Sequence, residues 1–135
     1  MFLFILLCML FCHIVDDFYL QGILAKMKQK SWWRGQTTDP IYQHDWLPAL
    51  IAHGISWSFM TTLPCNIYLL MNRPDMLYLF LIIFPVNVFV HCFIDHQKCN
   101  KRTICLCDDQ CVHFGQIVFT FFYFFVLVNV GGYTQ

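Results

Sequence analysis

The sequence predicts an all-α integral membrane protein with four transmembrane helices in one bundle, and three observations carry that prediction. Of the 135 residues, 59% are hydrophobic and only 12% charged, with fifteen phenylalanines and no glutamate. A soluble domain of this size needs more charge to cover its surface, whereas a bilayer solvates an apolar exterior. Four apolar segments each reach the roughly 20 residues that a helix needs to cross a hydrocarbon core about 30 Å thick. Seven of the eight Lys and Arg residues sit on one side, at the end of the first span or in the first and third connecting loops. The formal net charge of zero leaves no basic excess for neutralising phosphates along a strand, which excludes a nucleic-acid partner.

The first span is expected over residues 2–27. Its opening resembles a signal peptide, but no basic residue precedes it and no small-residue cleavage site follows, so it reads as a retained helix. The second covers residues 46–71, with Asp45 placed to cap it. The third covers residues 74–97, opening on Pro74 in the tolerated first turn, and the fourth covers 109–130. Pro64 and Pro85 fall inside the second and third helices, where each frees a carbonyl and introduces a kink. Residues 1–135 thus form a single domain. Lys26, Lys28, Lys30 and Arg34 follow the first helix and Lys98, Lys101 and Arg102 the third, but only Arg73 lies between the second and third. The positive-inside rule then places both basic loops in the cytoplasm and both termini outside. Trp32, Trp33 and Tyr42, with Trp46 just beyond, make the first loop an amphipathic segment at headgroup level. At least three of the eight cysteines lie inside apolar segments and the others cluster in a cytoplasmic loop, so free thiols are expected.

Three helices carry a His/Asp pair at i, i+4: His13 with Asp17, His91 with Asp95, and Asp109 with His113. That spacing puts both side chains on one helical face, one turn apart. The second helix adds His53. Counted from the loops at about 1.5 Å per residue, all of them fall in the inner leaflet. Ionisable groups at that depth are costly and normally face the bundle interior. Imidazole and carboxylate together form the ligand set of zinc, manganese or iron, and helical bundles carry such sites. The candidate metal ligands are therefore His13, Asp17, His53, His91, Asp95, Asp109 and His113, enough for one or two divalent ions. Gln21 and Gln110 are candidates to orient them. The bland alternative is a hydrogen-bonded packing network. Cys99, Cys105, Cys107 and Cys111 lack the paired spacing of structural zinc sites, and His44 and His96 read as interfacial.

At these residues the sequence resembles the domain of unknown function 3307 family of small bacterial and phage membrane proteins. The resemblance rests on His13-x3-Asp17-Phe18-x2-Gln21 followed by Lys28, on Leu47 to His53, on His91 to Asp95 with Lys98, and on Asp109-Gln110-x2-His113. It covers most of the chain, the cysteine-rich third loop and aromatic first loop being departures. It implies a bacterial inner-membrane or phage-encoded protein, and by a further analogy of fold a membrane-bound metal-dependent hydrolase.

Three function classes follow. The first is a metal-dependent hydrolase of a lipid or lipid-linked phosphoester at the inner leaflet. The second is a small accessory subunit, docked on copies of itself or on a larger membrane complex, whose polar layer is structural. The third is a proton or ion relay in a homo-oligomer.

Overall fold

The computed structural model describes residues 1–130, which are helical and contain no strand. Helix α1, Phe2–Ile14, runs directly into a π-helical turn, Val15–Leu20. The short helices α2, Leu24–Met27, and α3, Lys30–Gln36, form the first loop. Helix α4 spans Trp46–Asn72, and α5 spans Tyr78–His96 and continues as a π turn over Gln97–Lys101. Helix α6, Leu106–Val130, completes the bundle. Helix α4 packs against α1 and α5, and α6 closes the bundle against α1 and α5.

Three stretches are long and apolar enough to cross a membrane: Phe2–Leu20, Tyr78–Lys101 and Leu106–Asn129. Helix α4 has the length, at 27 residues. Its composition is more polar, because Pro48, His53, Ser58, Thr61, Thr62 and Asn66 dilute it. The surface is apolar where the interior is polar. Leu3, Phe4 and Phe11 on α1, Leu81 and Phe89 on α5, and Phe119 on α6 are each more than 60% exposed, while seven Asp and His side chains are at most 1% exposed. That inversion of the usual burial order fits a lipid environment.

The expected helix over residues 2–27 is broken after Leu20. Gly22 has φ of 47°, a left-handed conformation that costs residues bearing a Cβ, and the chain turns there before α2 begins. The turn brings Lys28 back against the bundle, where it is 4% exposed. Asp45 stands at the N-cap of α4 without a side-chain capping bond. Helix α6 starts three residues earlier than 109: Asp108 Oδ2 accepts from the Cys105 N–H at 3.0 Å, so the first turn belongs to Cys105 through Asp108. The third span opens with a 3₁₀ turn at Pro74–Met76, and Tyr78 begins the α-helix. In that turn the Arg73 guanidinium donates to both oxygens of Asp75, at 3.2 and 3.0 Å, which holds the Asp75 carboxyl below the usual carboxylate range. Pro64 and Pro85 lie within α4 and α5 as expected.

The bundle interior has two ends. Met9, Trp57, Leu69, Ile117 and Phe124 belong to the apolar core toward the α4–α5 turn. The other end, next to the basic loops, is a polar layer.

Candidate metal centre

Each helix delivers its polar residues by a local device. The π turn after Ile14 adds a residue to one helical turn, with Gln21 N–H donating to Asp16 O at 3.1 Å, and so rotates both Asp16 and Asp17 inward. Helix α4 supplies His53 next to Gly54, whose bare Cα lets α5 approach. Helix α5 supplies His91 and Asp95 one turn apart, and α6 supplies Asp109 and His113 in the same way.

Four ligand atoms gather around one point. His53 Nε2 lies 3.1 Å from His91 Nε2, 3.3 Å from Asp17 Oδ1 and 3.4 Å from Asp95 Oδ2, and the last two groups on α5, His91 Nε2 and Asp95 Oδ2, are 3.7 Å apart. A tetrahedral ion with ligand bonds near 2.0–2.1 Å sets its ligand atoms about 3.4 Å apart, so the separations of Asp17 and Asp95 from His53 are of the size such a site needs. The two histidines also meet nitrogen to nitrogen, where only one can carry the hydrogen of a mutual bond.

A second position adjoins the first. His113 Nε2 stands 3.4 Å from Asp109 Oδ1 and 3.7 Å from Asp95 Oδ1. Ligand atoms of Asp17, Asp109 and His113 also lie within 4.8 Å of one another, as do those of Asp17, His53 and His91 and those of His91, Asp95 and His113. Asp17 and Asp95 therefore belong to both positions, with Asp95 turning one oxygen to each. Asp95 Oδ1, Asp109 Oδ1 and His113 Nε2 have no hydrogen-bond partner among the described residues. Buried polar atoms are normally satisfied, and these three meet one another only at ion-pair distances, an arrangement that a cation between them, or a proton on His113, would satisfy.

Charge points the same way. The buried layer holds Asp16, Asp17, Asp95 and Asp109 against two ammonium groups, Lys28 on Asp95 Oδ2 at 2.5 Å and Lys98 on Asp109 Oδ2 at 2.6 Å. The four carboxylates outnumber the two ammonium groups by two, an excess that a bound cation or a protonated imidazole would offset. In the sequence Lys28 and Lys98 stand among loop lysines that read as a topology signal. Only the Gly22 break and the π turn over Gln97–Lys101 fold them back.

His13 has a different place. Trp57 Nε1 donates to its Nδ1 at 2.8 Å, and its Nε2 lies 3.0 Å from Gln110 Oε1. Gln110 Nε2 in turn donates to Asp17 Oδ2 at 2.9 Å and to Asp109 Oδ2 at 3.0 Å. The expected ligand His13 thus stands outside the three ligand groups, with both ring nitrogens engaged, and orients two carboxylates through Gln110. Gln21 bonds to the backbone carbonyl of Asp17. Asp16 lies outside the expected set: its Oδ1 accepts from Ser56 Oγ at 2.5 Å, and its Oδ2 lies 3.8 Å from His53 Nδ1, beyond hydrogen-bond distance. The ligand groups among the described residues contain no cysteine, and all eight cysteines are free. His96 stacks on Trp46 with ring centroids 5.1 Å apart, away from the cluster.

Fold and site together define a helical bundle with membrane-spanning helices and a buried His/Asp cluster able to hold a metal ion. No protein family, curated protein or solved structure matches the chain.

Proposed function

We propose that this protein is a membrane-embedded metalloprotein holding one or two divalent ions, acting as a hydrolase on a lipid or lipid-linked phosphoester at the cytoplasmic leaflet. The observation that carries the reading is the convergence of Asp17, His91 and Asp95 atoms on His53, with Asp17 and Asp95 also in the ligand groups that contain His113. Zinc, manganese and iron all suit such donors. Divalent ions held there supply Lewis acidity and lower the pKa of a coordinated water, the usual basis of phosphoester hydrolysis by paired metals. The protein's own part is to hold the carboxylates through Gln110, Lys28 and Lys98.

Helix α4 is taken as the fourth span in this reading, because Ile51, Ile55, Phe59, Ile67 and Leu70 give it an exposed apolar face. The basic loops then lie in the cytoplasm and the termini outside. The resemblance noted in the sequence adds a bacterial inner membrane, or a phage gene acting in one, as the setting.

A metal-free reading has its own support: Lys28 sits on Asp95 Oδ2, an oxygen that the first ion would need. In that case the layer is a structural network in an accessory subunit. Elemental analysis of detergent-purified protein, folded and never exposed to chelator, separates the two. At least one divalent ion per chain, lost in His53→Ala and His91→Ala variants that remain folded, is the expected result. Metal-free wild-type protein that does not take up zinc, manganese or iron would overturn the proposal.

A further inference from the structure

Beside the polar layer, the first loop folds into a cavity of about 650 Å³, within the size range of small-molecule sites. Its walls carry Lys30, Arg34 and His44 together with Trp33, Tyr42 and Trp46. The cavity is built from fixed parts. Trp33 Nε1 donates to Met27 O at 2.8 Å, and the Trp33 ring stacks on Tyr42 at an interplanar angle of 5°. Lys30 N–H donates to Asn100 Oδ1 at 2.7 Å while Asn100 Nδ2 donates to Lys28 O at 3.0 Å, which pins the first loop to the third. The one carboxylate in the wall, Asp39, accepts from the Ile41 N–H at 3.0 Å.

The aromatic walls alone would also suit a quaternary ammonium group. That ligand is disfavoured, since the Lys30 ammonium already lies 4.3 Å from the centroid of Trp46 and Arg34 shares the wall. Two permanent cations and an imidazole against one engaged carboxylate select an anion, and the guanidinium fork matches phosphate oxygens. Trp and Tyr at such a loop belong to the level of lipid headgroups.

We propose that this cavity binds a phosphate monoester, as an anionic lipid headgroup or a free phosphate, and that it does so independently of the metal centre. Trp46 lies seven residues before His53, roughly 10 Å along α4 at 1.5 Å per residue, so the cavity and the metal cluster are separate sites.

The test is a titration of tryptophan fluorescence in detergent-solubilised protein, with and without chelator. The probes are dihexanoyl phosphatidic acid, dihexanoyl phosphatidylcholine and inorganic phosphate. Phosphatidic acid should bind more tightly than phosphatidylcholine in both conditions, and Arg34→Gln should weaken it about five- to tenfold. Lys26→Gln removes the same charge from an exposed position outside the cavity and should change binding by less than about twofold. A Lys30→Gln variant repeats the test should Arg34→Gln fail to fold. Competition by millimolar inorganic phosphate assigns the cavity to a soluble phosphate, and its failure to compete assigns it to a lipid. Equal losses in Arg34→Gln and Lys26→Gln, or equal binding of the two lipids, would reduce the effect to diffuse surface charge and overturn the proposal.

Discussion

The indole of Trp57 fixes the tautomer of His13 and, through it, the orientation of Gln110. An indole N–H only donates, so the bond from Trp57 Nε1 leaves His13 Nδ1 as an acceptor. His13 must then carry its hydrogen on Nε2 and donate to Gln110 Oε1, which turns the Gln110 amide nitrogen toward Asp17 and Asp109. The ring of Trp57 also stacks on His91, with centroids 4.3 Å apart. Trp57→Phe keeps much of that packing and removes the donor. On the metal reading it should lower metal affinity about ten- to a hundredfold, as loss of an outer orienting contact does, with stoichiometry unchanged at saturating metal. Competition against a chelator of known affinity measures this, and an unchanged affinity would show that the chain of bonds orients nothing. Polar residues in apolar helices are conspicuous in a sequence, which is why His53, His91, Asp95, Asp109 and His113 could be read there. Trp57 is invisible by the same logic, because it looks like any other apolar residue.

At the level of elements, regular helices could be read and their irregular turns could not. The i, i+4 rule holds for His91 with Asp95 and for Asp109 with His113, at 3.7 and 3.4 Å, because α5 and α6 are regular there. Between His13 and Asp17 the contact runs through Gln110, and the π turn over Val15–Leu20 carries Asp16 inward as well. Nothing in Val15 to Leu20 announces a π turn, and the left-handed Gly22 looked like an ordinary glycine in a helical run. Gly54 is the element-scale feature with the sharpest consequence. A Cβ there would overlap Cys92 Sγ and lie 3.4 Å from Val88 O, so α4 and α5 meet at this point. Gly54→Ala should cost about 1–3 kcal/mol through overpacking and displace the neighbouring His53 from His91. Cys92→Ala should restore most of that loss in the double variant, because it removes the overlapping sulfur. Thermal unfolding in detergent reads the cycle, and strictly additive effects would mean that the helices do not meet there.

The whole molecule places its charge at one end, and that asymmetry predicts an orientation. Both basic loops adjoin the polar layer, whereas the α4–α5 turn at the opposite end carries the single pair of Arg73 and Asp75. Moving the basic end across a membrane would require translocating seven Lys and Arg residues, Lys28 and Lys98 among them. The cytoplasmic side is therefore expected to hold the metal centre and the loop cavity, where both face the inner-leaflet headgroups. Cysteine labelling tests this directly. Cys105 and Cys107 are exposed at the start of α6, on the basic side, and Asn72 is exposed at the far turn. A variant retaining only Cys105 should resist an impermeant maleimide in intact bacterial cells and react once the membrane is permeabilised. A variant whose only cysteine is introduced by Asn72→Cys should react in intact cells. Rapid labelling at Cys105 with protection of the Asn72→Cys position would invert the topology. The inner-leaflet substrate would then be excluded, while the internal geometry of the His/Asp cluster would stand unchanged.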